Sequence, residues 1–184
     1  VIKCHSKGVP VLVDGAQGAV HCDIDVQDLD CDFYAFSGHK IYAATGTGVL
    51  YGKKEWLNAM PPFMGGGEMV GTVTFEETTY APLPMKFEAG TQNFTSTATL
   101  KPAVEYHKLL NNKELDKIKD YILQQLSGDE RITVYGVPRG TNDEKIGLFS
   151  FTVKGVHHED LALILDKMGI AVRSGQMCAE PLMT

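Results

Sequence analysis

The chain has 184 residues, 43% of them hydrophobic, with 23 acidic against 17 basic side chains and a formal charge of −6. That is enough apolar material for one or two packed domains, and an acidic chain with no basic stripe argues against a nucleic-acid surface. No apolar run approaches the roughly 18 residues of a membrane span. The four cysteines, Cys4, Cys22, Cys31 and Cys178, form neither a CxxC pair nor the dense framework of a secreted disulfide scaffold, so a reducing cytoplasm is the expected location. With Val1 at one end and the turn-like "CAEPLMT" at the other, the sequence reads as an internal piece of a larger protein.

In chain order, "VPVLVDGA" is a short β-branched run stopped by Asp-Gly, which predicts a buried strand carrying Asp14 at its C-terminal end. "DFYAFSG" is a second such run and delivers Ser37 to Lys40. The stretch between them suits a crossover with a short helix, so the two strands are expected to be parallel. "TGVLYGKK" predicts a third strand. In an open parallel sheet the carboxyl ends of strands line the ligand crevice, which would put Asp14 and Lys40 at one site. From Pro61 to Phe94 the chain is rich in Gly, Pro and Thr and reads as functional or interface loops with short strands.

Ser96 to Leu110 is expected to be a helix with Leu100, Val104 and His107 on one side, and Lys113 to Leu126 a second one. After Ser127 the style changes. "RITVYG" and "KIGLFSFTV" read as strands, "HHEDLALILDKMG" as a helix closed by Gly169, and "IAVRSG" as a further strand. The predicted fold is α/β, with residues 1–127 as part of a large domain and 128–184 as part of a small α+β domain.

Lys40 is the first candidate for chemistry. A lysine in a Ser-Gly-His turn ordinarily keeps its charge in water. Beside a crevice that also holds Asp14, its amine could form a Schiff base with an aldehyde cofactor, and pyridoxal phosphate needs an acidic partner at its ring nitrogen. Ser37, His39 and nearby backbone N–H groups suit a phosphate. Gln17, three residues after Asp14, either caps a short helix or turns its amide toward the same ring. His21 and Cys22 lack the spaced second pair of a metal site, Cys31 reads as a buried apolar group, and His157 and His158 open a helix, so no metal is expected. Cys178 lies in "RSGQMCAEP" behind Arg173, Ser174 and Gly175. It is either a spare cysteine or a thiolate favoured by its cationic neighbour.

Four stretches, "VLVDGAQ", "DFYAFSGHK", "KFEAGTQN" and "RSGQMCAEPLM", resemble the cysteine desulfurases of the class V aminotransferase fold, in particular the SufS-like branch that includes selenocysteine lyases. The resemblance implies part of a pyridoxal-phosphate-dependent (fold type I) large domain with a mainly parallel sheet, followed by part of the small domain. It implies that Lys40 is the Schiff-base lysine, Asp14 the partner of the pyridine nitrogen and Gln17 that of the phenolic oxygen. Ser37 and His39 would bind phosphate, and Thr91 would reach a phosphate in the neighbouring subunit of a homodimer. Cys178 would accept sulfur and Arg173 would lie near the substrate. The implied reaction turns L-cysteine into L-alanine and leaves a persulfide on Cys178 for an iron–sulfur scaffold or other acceptor. Selenocysteine lyase activity and a non-catalytic partner or scaffold of the same fold are the alternatives.

The sequence departs from the family's pattern at Ala43-Ala44, where Gly-Pro is usual, and at Gln92, where Pro is usual. At Gln176 and Met177 two histidines are common, and neither residue here can act as acid or base at neutral pH. The resemblance also implies that a histidine stacking on the cofactor and an arginine for the substrate carboxylate lie outside this stretch. The piece alone is then expected to lack a complete pocket and to expose apolar surface where the sheet is cut.

Overall fold

The computed structural model describes residues 1–110, 112–136, 145–177 and 180–183. The chain packs as two compact units, Val1–Leu110 and Asn111–Thr184.

In the first unit a short helix α1 (Ile2–His5) leads into β1 (Leu12–Asp14). Two short helices, α2 (Gly18–His21) and α3 (Val26–Leu29), then make the crossover to β2 (Phe33–Ser37). Asp25 caps α3 by accepting from the N–H groups of Gln27 and Asp28. β1 and β2 pair in parallel, with Leu12 opposite Phe33 and Asp14 opposite Ala35, as a crossover of this length permits. A 3-10 turn (Gly38–Ile41) leads to β3 (Gly48–Gly52), which pairs antiparallel with β2 from Phe33/Gly52 to Ser37/Gly48. The third strand reverses because the connection is too short to carry the chain back over the sheet. The three-stranded sheet is therefore mixed, in the order β1-β2-β3.

The edge where β1 and β2 begin is fastened by one carboxylate. Asp32, 4% exposed, accepts from the Val11 N–H at 2.7 Å, the Trp56 indole at 2.9 Å and His5 Nε2 at 2.7 Å. The His5 bond, then those from Val11 and Trp56, hold the Asp32 carboxyl well below the usual carboxylate range. This ties α1, both strand starts and α4 (Lys54–Ala59) together, and Lys53 adds an ion pair to Asp30 at 2.6 Å.

The loop-rich stretch contains a hairpin of β4 (Val70–Val73) and β5 (Thr78–Tyr80). The expected helix from Ser96 is two helices, α5 (Phe94–Ala98) and α6 (Leu100–Leu109), joined at Thr99. The break has a local cause. The Thr99 hydroxyl donates to the Ser96 carbonyl at 2.6 Å, and Pro102 has no N–H for the carbonyl four residues back. Cys31, Tyr34, Ile41, Ala43, Met69 and Ala103 form the buried core. On the sheet itself Leu12, Val49 and Leu50 are exposed.

In the second unit α7 (Asn112–Gly128) packs against β6 (Ile132–Tyr135), which pairs antiparallel with β7 (Ser150–Val153). α8 (His158–Lys167) ends as predicted at Gly169, whose φ of +78° lets its N–H turn back to the Asp166 carbonyl at 2.9 Å. The strand expected over "IAVRSG" does not form. A strand needs a ladder, and among the described residues none pairs with it.

Candidate active site

Because β1 and β2 run in the same direction, their C-terminal ends, Asp14 and Ser37, open on one edge of the sheet. Just past Asp14 the chain turns sharply. The Ala16 N–H donates to the Asp14 carboxylate at 2.9 Å, a local bond that Asp makes readily, and the turn enters α2. Gln17 holds the N-cap position, exposed, and its side chain does not cap its own helix.

Past Ser37 the 3-10 turn carries His39, exposed, and Lys40, half-buried. Ser37 Oγ and His39 Nδ1 are hydrogen-bonded at 2.8 Å. Among the described residues the Lys40 amine has no hydrogen-bond or ion-pair partner. α2 touches the turn directly, so the segment behind Asp14 and the segment holding Lys40 are neighbours. The turn is compact. A side chain at Gly38 would meet the Thr47 methyl at 2.8 Å and Leu100 at 3.1 Å, and its N–H donates to the Thr47 carbonyl at 2.9 Å.

Tyr34, the second residue of β2 and 4% exposed, lies beneath the Asp14 turn. A Cβ on Gly15 would fall well inside 3.0 Å of the ring, and one on Gly18 would sit 2.9 Å from its hydroxyl. These two glycines let the turn lie on the ring. Among the described residues the buried Tyr34 hydroxyl has no hydrogen-bond partner, and burial pushes the phenol's pKa up, with Cys22, Cys31 and Asp14 adding to the shift.

The structure thus brings Asp14, Gln17, Ser37, His39 and Lys40 to one edge. Thr91 is exposed in the loop before α5, and that loop reaches the segment after Lys40, because Asn93 donates to the Gly46 carbonyl at 3.2 Å. Arg173 is exposed in the second unit, and Cys178 lies outside the described residues. Among the described residues no group of three or more His, Cys, Asp or Glu side chains is placed to hold a metal ion, and no helix is long and apolar enough to cross a membrane. Sequence reasoning did not single out Tyr34, Thr99 or His107 as supports of this edge. For Tyr34 the available signal was two glycines flanking Gln17; Thr99 and His107 act through contacts distant in sequence.

The aminotransferase class-V family matches residues 1–184. The chain belongs to that family. A probable cysteine desulfurase of Vibrio cholerae is 46% identical over 183 residues, covering 97% of this chain and 44% of the relative. The crystal structure of the cysteine desulfurase CsdA (S-sulfonic acid) from Escherichia coli superposes with a TM-score of 0.83 at 42% identity, covering 98% of this chain and 45% of that one. A C-DES variant, a lysine-to-alanine mutant with glycine covalently linked to its PLP cofactor, superposes at 0.72 and 26% identity, over 94% of this chain and 45% of that one. The chain therefore spans less than half the length of the relatives it matches, and its α/β architecture is a partial fold of their type.

For a class-V aminotransferase chain the donor set on the edge is chemically coherent. A carboxylate can face a basic ring nitrogen, an unpartnered amine can meet an aldehyde, and a hydroxyl–imidazole pair suits a phosphate. These residues fit pyridoxal phosphate.

Proposed function

We propose that the protein is a pyridoxal-phosphate-dependent cysteine desulfurase that converts L-cysteine to L-alanine and passes sulfur to its own Cys178. The observation that carries this reading is the placement of Asp14 and Lys40 behind parallel strands at one sheet edge, in a chain whose relatives are cysteine desulfurases. When bound, pyridoxal phosphate supplies an electron sink for a carbanion at the substrate α-carbon.

The residues divide the remaining work. Asp14, as a carboxylate, would hold a proton on the ring nitrogen. Gln17 would donate its amide to the phenolic oxygen, and Ser37 and His39 would bind the phosphate. The Lys40 amine would hold the cofactor through its aldehyde and would take and return the substrate's α-proton. The Cys178 thiolate attacks the substrate sulfur. A sulfur–sulfur bond forms, the carbon–sulfur bond breaks, and the carbon gains a proton to become the methyl of alanine. Arg173 favours the thiolate and the anionic substrate. Thr91 reaches the phosphate of a second copy in a cytoplasmic, SufS-like homodimer, and an iron–sulfur scaffold or relay protein of the cell takes the persulfide sulfur.

The test is alanine production from cysteine by the full-length protein with added cofactor, with the visible absorbance read from the same sample. Lys40→Ala is expected to abolish the visible band and borohydride trapping at that residue. Cys178→Ala is expected to keep the band and stop sulfur release. A band that survives Lys40→Ala unchanged overturns the lysine assignment, and undiminished turnover without Cys178 overturns the thiol's role. Selenide released much faster than sulfide would move the reading to selenocysteine lyase. A visible band with no alanine formed would move it to a non-catalytic relative.

A further inference from the structure

The edge described above has two arms, the segment from Asp14 through α2 and the segment from Ser37 through Gly48. Among the described residues no disulfide cross-links them, and each has a weak point. α2 is a helix of four residues, so its last carbonyls have no partner within the helix. The other arm passes through Tyr42, a non-glycine residue at φ +72° two positions after Lys40, a conformation that persists only where the surroundings impose it.

One side chain answers both. His107, half-buried on α6, lies 2.8 Å through Nε2 from the Val20 carbonyl at the end of α2. A carbonyl only accepts, so Nε2 carries the hydrogen. Val20's own N–H donates to the Gln17 carbonyl at 3.1 Å, so the bond continues into the turn that holds Gln17 and Asp14. The His107 ring also lies against Tyr42, tilted with centroids 6.3 Å apart, while Tyr106 meets the same Tyr42 ring edge-on at 5.2 Å. The two residues that flank α5, Asn93 and Thr99, hold the Lys40 arm at two further points. The Ala44 N–H donates to Thr99 Oγ1 at 2.9 Å, and Asn93 donates to the Gly46 carbonyl at 3.2 Å.

We infer that His107 is a positioning residue: its Nε2–H bond to Val20 and its contact with Tyr42 set the spacing of the Asp14–Gln17 arm against the Lys40 arm. The assignment rests on the cofactor reading above, because it gives that spacing a purpose, but the bond itself can be tested without the cofactor.

The experiment uses the full-length protein and compares His107→Phe, which keeps a ring and loses the donor, with His107→Gln, which restores an N–H donor. Three readouts are taken: amide exchange over residues 16–22 in the cofactor-free protein, the apparent Kd for pyridoxal phosphate, and the circular dichroism of the visible band. Loss of one neutral hydrogen bond predicts exchange at the end of α2 about fivefold faster in the Phe variant and a cofactor Kd weaker by about the same factor, with the Gln variant within about twofold of wild type on both. The visible dichroism is expected to fall in the Phe variant and recover in the Gln variant, since it reports the orientation of the bound ring. Exchange, Kd and dichroism all unchanged in the Phe variant overturn the inference, as does a Gln variant no better than Phe. If wild-type protein takes up no pyridoxal phosphate at Lys40, the functional reading fails, and the exchange comparison still decides whether His107 fixes the arm.

Discussion

Replacing Gly15 with alanine tests whether the Tyr34 ring sets the height of the Asp14 turn. The added methyl would land well inside 3.0 Å of the ring, so turn or ring must give by on the order of 1 Å to restore ordinary contact. Crowding of this kind costs about 1–3 kcal/mol. Gly15 has no left-handed φ, so alanine recovers about 0.4–1 kcal/mol by restricting the unfolded chain. The net expectation lies between about 0 and 2.6 kcal/mol, with a local loss of about 1–2 kcal/mol at its centre. Gly15's own N–H donates to the Ala35 carbonyl at 2.7 Å, so hydrogen exchange at that amide in the full-length protein reads the effect directly. Its protection is expected to fall by about 5- to 30-fold. Adding Tyr34→Leu should return much of that loss, giving a coupling of more than about 1 kcal/mol between the two changes. Exchange at Gly15 within about twofold of wild type, or strictly additive effects in the double variant, would refute the reasoning.

Two further expectations come from hydrogen bonds at either edge of the sheet. Asp32's folded pKa is depressed, first by the His5 bond, so its contribution to stability is complete above the unfolded value of about 3.9 and is lost as pH falls below it. Asp32→Asn should therefore melt lower than wild type at neutral pH, with the gap narrowing on acidification below about pH 4; a gap that stays constant would count against this role. Thr99→Ala removes both the acceptor for the Ala44 N–H and the donor to Ser96, and exchange at Ala44 should speed up by about fivefold or more. Unchanged exchange there would show that the lysine loop is held by other contacts.

What the sequence made legible follows from the range of the forces involved. The β-branched run before Asp14, the apolar run before Ser37 and the glycine after α8 are local signals, and the strands and helix end they predict are present. The shared edge of Asp14 and Ser37 was also legible, because a crossover long enough for a helix enforces parallel pairing. The break at Thr99 was readable in principle from Pro102, but the 3.6-residue pattern of apolar positions on either side hid it. "IAVRSG" has strand composition without a ladder partner among the described residues, and composition cannot supply one. The Val20–His107 bond spans 87 positions, and nothing in the neighbourhood of either residue announces it.

The two ends of the parallel pair differ in a way that bears on function. At the starting edge both oxygens of Asp32 are engaged, Oδ1 by Trp56 and Oδ2 by His5 and Val11, and Lys53 stands 3.5 Å away. That edge is saturated, and its polar groups hold structure. At the finishing edge Asp14 is exposed and accepts one local N–H, and among the described residues the Lys40 amine has no partner. The supporting contacts there act on backbone, through Tyr34 under the turn, Thr99 on Ala44 and His107 on Val20. Among the described residues the Ser37 and His39 side chains bond only to each other and Asp14 only to the nearby Ala16 N–H. A backbone held firmly with side chains tied by few and local bonds can grip a polar ring at small internal cost. The same logic predicts where substitutions divide. Changes at Asp32 should lower stability and leave cofactor affinity close to wild type, whereas changes at Asp14 or Lys40 should lower affinity with little effect on the cofactor-free melting temperature. Cofactor-free Asp14→Asn protein that melts as low as Asp32→Asn would break that division.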